Sequence, residues 1–156
     1  MKLSIICVGK TREGFIDEGI RKYLRYVKPY AEAEVREVKE EKIHDLKAAP
    51  LVRKKEAEKI LKVVPPQAML VALDERGREY TSHEFADFLN TRIESGVREA
   101  AFVIGGAMGL DESVVGRADV VIALSRWTLT HEMARLVLLE QLYRAFTIIR
   151  GKTYHY

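Results

Sequence analysis

Cysteine occurs once in the 156 residues, at Cys7 inside an apolar run. That excludes a disulfide framework and fits a reducing compartment. The thiol reads as a small buried hydrophobe rather than a reactive group. Charge of one sign is equally scarce: 26 basic against 23 acidic side chains leave a net charge of +3. So small an excess does not by itself argue for a nucleic-acid partner. Long hydrophobic runs are missing too. The apolar start at residues 1–8 is stopped by Gly9-Lys10-Thr11-Arg12-Glu13, too early for a signal peptide or a membrane span. A cytoplasmic protein with no membrane partner is expected. The four histidines, His44, His83, His131 and His155, lack metal-ligand spacing, and no metal is expected. No Ser-His-Asp or Cys-His arrangement, repeat or low-complexity segment stands out.

What is present is alternation of strand and helix. The length suits one domain, able to bury roughly 70% of its unfolded surface without staples. Residues 2–8 read as a buried strand. From Phe15, apolar residues recur at three- and four-residue steps through Ile16, Ile20, Tyr23, Leu24 and Val27, a helix closing before Pro29. A weaker strand follows at 32–38. The charged stretch 39–47 is left as a loop or short helix. A helix spans 51–64, ended by Pro65-Pro66, and a buried strand spans 68–73, ending at Asp74. Arg76-Gly77 is expected to turn the chain. Thr81-x-x-Glu84 resembles a capping box for a helix carrying Phe85, Phe88, Leu89 and Ile93, with Gly96 as its stop. A strand at 100–104, a short helix near 112–116, a strand at 120–124 and a helix at 131–149 complete the chain.

This order predicts an α/β fold with a mainly parallel sheet covered by helices on both faces. The last helix is apolar nearly all round, from Met133 through Leu139 to Ile149. It either lies deep in the fold or also packs on a second subunit, and a homodimer is favoured.

Ligands of open α/β sheets sit outside the carboxyl ends of the strands. Two loops belong there. Gly105-Gly106-Ala107-Met108-Gly109 matches neither a P-loop nor a dinucleotide fingerprint. It fits a tight turn or a close backbone approach to a flat ligand about equally. Leu124-Ser125-Arg126-Trp127-Thr128-Leu129 supplies hydroxyls, backbone amides and one indole. Trp127 covers a ligand or anchors the loop, and Thr128 or Thr130 caps the last helix. His131 and Arg135, four apart, reach a polar substrate. Their alternatives are a first-turn hydrogen bond and a carboxylate pair. Glu140 and Arg144 suit an intrahelical ion pair. In the tail, Arg150, Lys152, Tyr154 and His155 suit an exposed base and its phosphate, unless the terminus simply frays.

Together these residues resemble the RlmH family of small SPOUT-class methyltransferases along the whole chain. The resemblance is carried by Ile104-Gly105-Gly106-x-x-Gly109-Leu110, Leu124-Ser125-x-x-Thr128-Leu129-x-His131, Arg135, Glu140-Gln141-x-Tyr143-Arg144-Ala145 and Tyr154-His155. It implies a single SPOUT domain over 1–156 with a C-terminal trefoil knot and no separate RNA-binding domain. It implies an obligate homodimer, S-adenosylmethionine as methyl donor, and methylation of N3 of a pseudouridine in 23S rRNA on the assembled ribosome. Leu73, Gly105, Gly106 and the run Leu124, Ser125, Arg126, Trp127, Thr128, Leu129 would then hold the cofactor. Arg135, Tyr154 and His155 would serve the substrate base, with His155 either accepting its N3 proton or positioning it, the second being favoured. The competing classes are a nicotinamide-dependent oxidoreductase and a non-catalytic ribosome assembly factor. A SPOUT enzyme for another RNA is a third.

Overall fold

A computed structural model describes residues 1–153. Strands β1 (Lys2–Val8), β2 (Glu32–Val38), β3 (Met69–Glu79), β4 (Glu99–Ile104) and β5 (Val120–Ala123) form one sheet in the order β2-β1-β4-β3-β5. Every neighbouring pair is parallel. Parallel neighbours need crossovers. Helices α1 (Gly14–Val27), α2 (Ala49–Val63), α3 (Ser82–Glu94) and α4 (Glu112–Val115) supply them, and α5 (His131–Ile149) follows β5.

The central strands are apolar on both faces because both faces are covered. Leu3, Ile5 and Cys7 of β1 join Phe102 of β4 in a core shared with Ile20, Leu89 and Leu139 of α1, α3 and α5. Their neighbours Ile6, Val8 and Val103 point the other way, into a second core with Ala57 and Ile60 of α2 and Val114 of α4. Burial pushes the Cys7 thiol up to about 12, so it is unreactive at neutral pH. β2 lies at one edge, which accounts for its charged alternation.

The helix signals hold with small shifts. Thr81 accepts from the Glu84 backbone N–H while Glu84 accepts from that of Thr81, a complete capping box. α2 starts at Ala49, earlier than the apolar periodicity shows, because Pro50 fits a first helical turn. The charged stretch before it runs as a loop into a 3₁₀ turn at Leu46–Ala48, capped by Asp45.

β3 departs from expectation. Arg76-Gly77 does not turn the chain, and the strand continues to Glu79. Leu73 and Arg78 both pair with Ile122 of β5, so residues 74–77 bulge out between them. Gly77 sits where a Cβ would lie 2.6 Å from the Ile122 backbone, so glycine is required by close approach. The local pattern resembles a turn because the bulge needs the same residues as one.

α5 packs on α1 and α3. No residue from His131 to Ile149 is exposed, and Leu138, Leu139, Leu142 and Phe146 are fully sheltered. Burial of each contributes roughly 2 kcal/mol. One chain therefore accounts for most of the apolar character of the helix. The exposed large apolar groups lie elsewhere, at Phe15 and Tyr26 of α1, Leu46, Leu51 and Trp127 among others. Among the described residues no helix is long and apolar enough to cross a membrane.

Candidate active site

A cavity of about 920 Å³ opens at the bulge of β3 and the carboxyl ends of β4 and β5. Three loops wall it: the β3 bulge, the glycine loop after β4 and the β5–α5 loop. Leu73, Ile104, Leu110, Leu124 and Leu129 give it apolar faces. Four carboxylates, Asp74, Glu75, Asp111 and Glu112, outnumber the two guanidinium groups, Arg53 and Arg76.

The glycine loop is a tight turn and a cavity wall at once. Gly106 O accepts from the Gly109 N–H at 3.0 Å. A Cβ on Gly105 would lie 2.6 Å from Gly109 C, so only glycine lets the loop close on itself. Behind it stands Glu56 of α2, almost fully buried, whose carboxylate accepts from the Glu41 backbone N–H at 3.1 Å. Its other oxygen would lie 3.0 Å from a Cβ on Gly106. Burial raises this carboxyl above its ordinary range.

The β3 bulge brings a charged network to the rim. Arg76 Nε and Nη2 donate to the two oxygens of Asp74 at 2.8 and 3.1 Å, and Nη1 donates to Glu112 at 2.5 Å. The Arg76 hydrogen bond holds the Asp74 carboxyl below its usual range.

At the start of α5, Thr130 is the cap, its hydroxyl accepting from the Met133 N–H at 3.1 Å. His131 lines the cavity, and burial, followed by the nearby Arg135 charge, lowers its pKa, so the imidazole is neutral at physiological pH. The next two polar residues face inward. Glu132 accepts from the backbone N–H groups of Arg12 and Glu13 at 3.0–3.1 Å. Arg135 is completely buried and donates to Val8 O at 2.6 Å and Thr11 Oγ1 at 2.9 Å. The first turn of α5 thus holds the β1–α1 loop. Arg135 braces the protein from inside, with a carbonyl and a hydroxyl as its partners where a polar substrate, or in the alternative a carboxylate, was the expectation.

Of the residues singled out from sequence, Leu73, Gly105, Gly106, Leu124, Ser125, Thr128 and Leu129 meet at the cavity. Arg126 and Trp127 do not line it; both side chains are 84% exposed. Tyr154 and His155 lie outside the described residues. Glu140 and Arg144 form the expected pair at 2.7 Å. Asp74, Arg76, Glu112 and Glu56 were not legible as site residues. The signal that would have found the first two is the charged, glycine-containing bulge itself. Among the described residues no cluster of His, Cys, Asp and Glu suits a metal ion.

The sequence and the fold are matched by known proteins. The family model described as Predicted SPOUT methyltransferase matches residues 1–155. The ribosomal RNA large subunit methyltransferases H of Geobacter metallireducens and Geobacter sulfurreducens are each 47% identical over all of this chain, covering 99% and 100% of their own lengths. That of Carboxydothermus hydrogenoformans is 42% identical over 99% of both chains. Among solved structures, a probable methyltransferase from Bordetella pertussis Tohama I superposes with a TM-score of 0.54 at 12% identity, over 93% of this chain and 95% of that one. A probable methylase family protein from Haemophilus influenzae Rd KW20 does so with a TM-score of 0.53 at 16% identity, over 99% and 70%. These two share the fold. The match along nearly the whole length, with the glycine loop and the β5–α5 loop walling one cavity, places the chain in the SPOUT methyltransferase family, among the large-subunit ribosomal RNA methyltransferases H.

Proposed function

We propose that the protein transfers a methyl group from S-adenosylmethionine to N3 of a pseudouridine in 23S rRNA, acting as a cytoplasmic homodimer on the assembled ribosome. The observation that carries this is the cavity at the bulge of β3 and the ends of β4 and β5, walled by the same two loops that carry the family resemblance. Its chemistry suits that donor. Apolar faces and close backbone accommodate an adenosine, and the excess of carboxylates favours a cationic sulfonium and ammonium. A dinucleotide pyrophosphate would face an excess of carboxylates with only Arg53 left to meet it, because Arg76 is already engaged by Asp74 and Glu112. That argues against a nicotinamide enzyme.

The donor supplies a methyl group that is electrophilic without further activation. The protein's task is then orientation, which contributes roughly 7–11 kcal/mol in favourable systems. Backbone groups of Leu124, Ser125, Thr128 and Leu129 and of Gly105-Gly106 would hold the nucleoside, and Leu73 would pack on it. Asp74 is kept ionised and suits a hydroxyl or ammonium partner. Glu132 and Arg135 contribute indirectly by fixing the β1–α1 loop against α5. The target base must leave its stack to be reached. Tyr154 and His155 are assigned to it, His155 as a positioning group. In this reading one domain spans the chain, α5 completes a trefoil knot, and a second subunit covers exposed Phe15 and Tyr26 of α1. No metal takes part.

Isothermal titration with S-adenosylmethionine, run beside NAD and repeated with ribosomes present, tests the reading. One cofactor per pocket with no NAD signal, followed by methylation of ribosomes and poor methylation of a naked rRNA hairpin, is expected. No binding of S-adenosylmethionine under either condition overturns it in favour of a non-catalytic assembly factor.

A further inference from the structure

Trp127 is the only tryptophan in the chain, and it is 84% exposed, more than any other large apolar side chain described. Burying an indole is among the larger favourable terms open to a residue, so its exposure at a structured loop calls for an external partner. Its placement is not slack. The Trp127 backbone N–H donates to Ser125 Oγ at 2.9 Å, and the residues on either side of the Arg126-Trp127 pair, Ser125 and Thr128, line the cavity. The loop therefore places Ser125 and Thr128 on the cavity wall and leaves its two largest side chains, Arg126 and Trp127, in solvent beside it. Arg126 beside it is equally exposed, and among the described residues its one ion contact, with exposed Glu79, spans 4.0 Å, the outer limit of a salt bridge.

We infer that Arg126 and Trp127 form an RNA-stacking lip at the mouth of the cavity. The indole takes the face of an unstacked base next to the methylated one, and the guanidinium takes an adjacent phosphate. This rests on the reading of the cavity as the methyl-transfer site. The charge of the pair selects the occupant. An indole flanked by a cation that has no closer counter-ion than Glu79 among the described residues matches a base flanked by a phosphate, the combination single-stranded RNA offers. A purely apolar partner surface would leave the Arg126 charge facing a dry interface without compensation. The lip also supplies what this mildly basic chain otherwise has little of, a place where base-stacking and phosphate contact coincide beside the reaction centre.

Because Trp127 is the sole indole, its fluorescence reports on this lip alone. In the free full-length protein, acrylamide should quench it readily, and with 5-fluorotryptophan at this position, whose fluorine signal ribosomal proteins lack, addition of ribosomes should shield it from solvent. Protection already present in the free protein would mean that a second copy or the chain's own terminus covers it, and would overturn the inference. Kinetics supply the second arm. Trp127→Ala should raise KM for ribosomes about tenfold, as loss of one stacked base predicts, with the dissociation constant for S-adenosylmethionine unchanged by titration. Trp127→Phe should recover most of the loss, and Arg126→Ala should weaken ribosome binding while making it less steeply dependent on salt. Unchanged KM in Trp127→Ala, with cofactor binding intact, refutes the lip but leaves the methyltransferase reading standing. Failure of the wild type to bind cofactor refutes that reading instead.

Discussion

The guanidinium of Arg135 donates to the carbonyl of Val8 at 2.6 Å, joining the first turn of α5 to the last residue of β1. The contact spans 127 positions of sequence and lies wholly inside the protein. Arg135→Ala leaves that carbonyl without its donor and removes a long packed stem. The expected cost is about 3 kcal/mol, a fall in melting temperature of roughly 6–12 °C. Thermal denaturation checks it. Unchanged melting with lost turnover would instead place Arg135 in contact with RNA.

Gly77→Ala should be costly at a position that looks like an ordinary turn. Its Cβ would meet the Ile122 backbone at 2.6 Å, and a loss of about 2 kcal/mol is expected from overpacking. The bulge carrying Asp74 and Arg76 would shift with it, so titration should show weaker S-adenosylmethionine binding as well. A variant with native stability and affinity would show that β3 and β5 separate easily.

Two buried carboxylates should shift stability with pH in opposite senses. Hydrogen bonds from the Glu13 and Arg12 backbone lower the folded-state pKa of Glu132 below its ordinary value of 4.5. Its contribution is therefore present above that value and lost as pH falls through the lower one. Burial raises the Glu56 carboxyl, so its contribution is present below the ordinary value and lost as pH rises through the higher one. The stability deficit of Glu132→Gln should be largest at neutral pH and shrink on acidification. Glu56→Gln, which keeps an acceptor for Glu41 N–H, should gain on the wild type as pH rises. Melting curves from about pH 3.5 to 8 decide both signs.

Asp74→Asn removes a carboxylate from the cavity wall and releases Arg76 from its partner. S-adenosylmethionine should bind about tenfold more weakly, the scale of one charged hydrogen bond, with the melting temperature nearly unchanged. An affinity equal to wild type would remove Asp74 from the site.

His155→Ala should keep cofactor affinity and lose roughly 100-fold in turnover on ribosomes. Full turnover would exclude both positioning and proton acceptance by this residue.

Period and punctuation in the sequence were enough for the layered α/β plan. Apolar runs such as 100–104 mark buried parallel strands, and Thr81 with Glu84 marks a helix start, because both signals act within a few residues. The glycine loop and the run 124–129 were legible for the same reason: each is one strand end and one turn. Tertiary structure alone decided the rest. The bulge at 74–77 exists because Leu73 and Arg78 compete for Ile122 on another strand. Arg135 became a strut because Val8 and Thr11 lie within reach only once β1 and α5 pack. Trp127 was left outside because the residues flanking the Arg126-Trp127 pair, Ser125 and Thr128, take the cavity wall. Local propensity determines which elements form, whereas the fate of a long polar or aromatic side chain depends on distant residues that only the folded chain brings near.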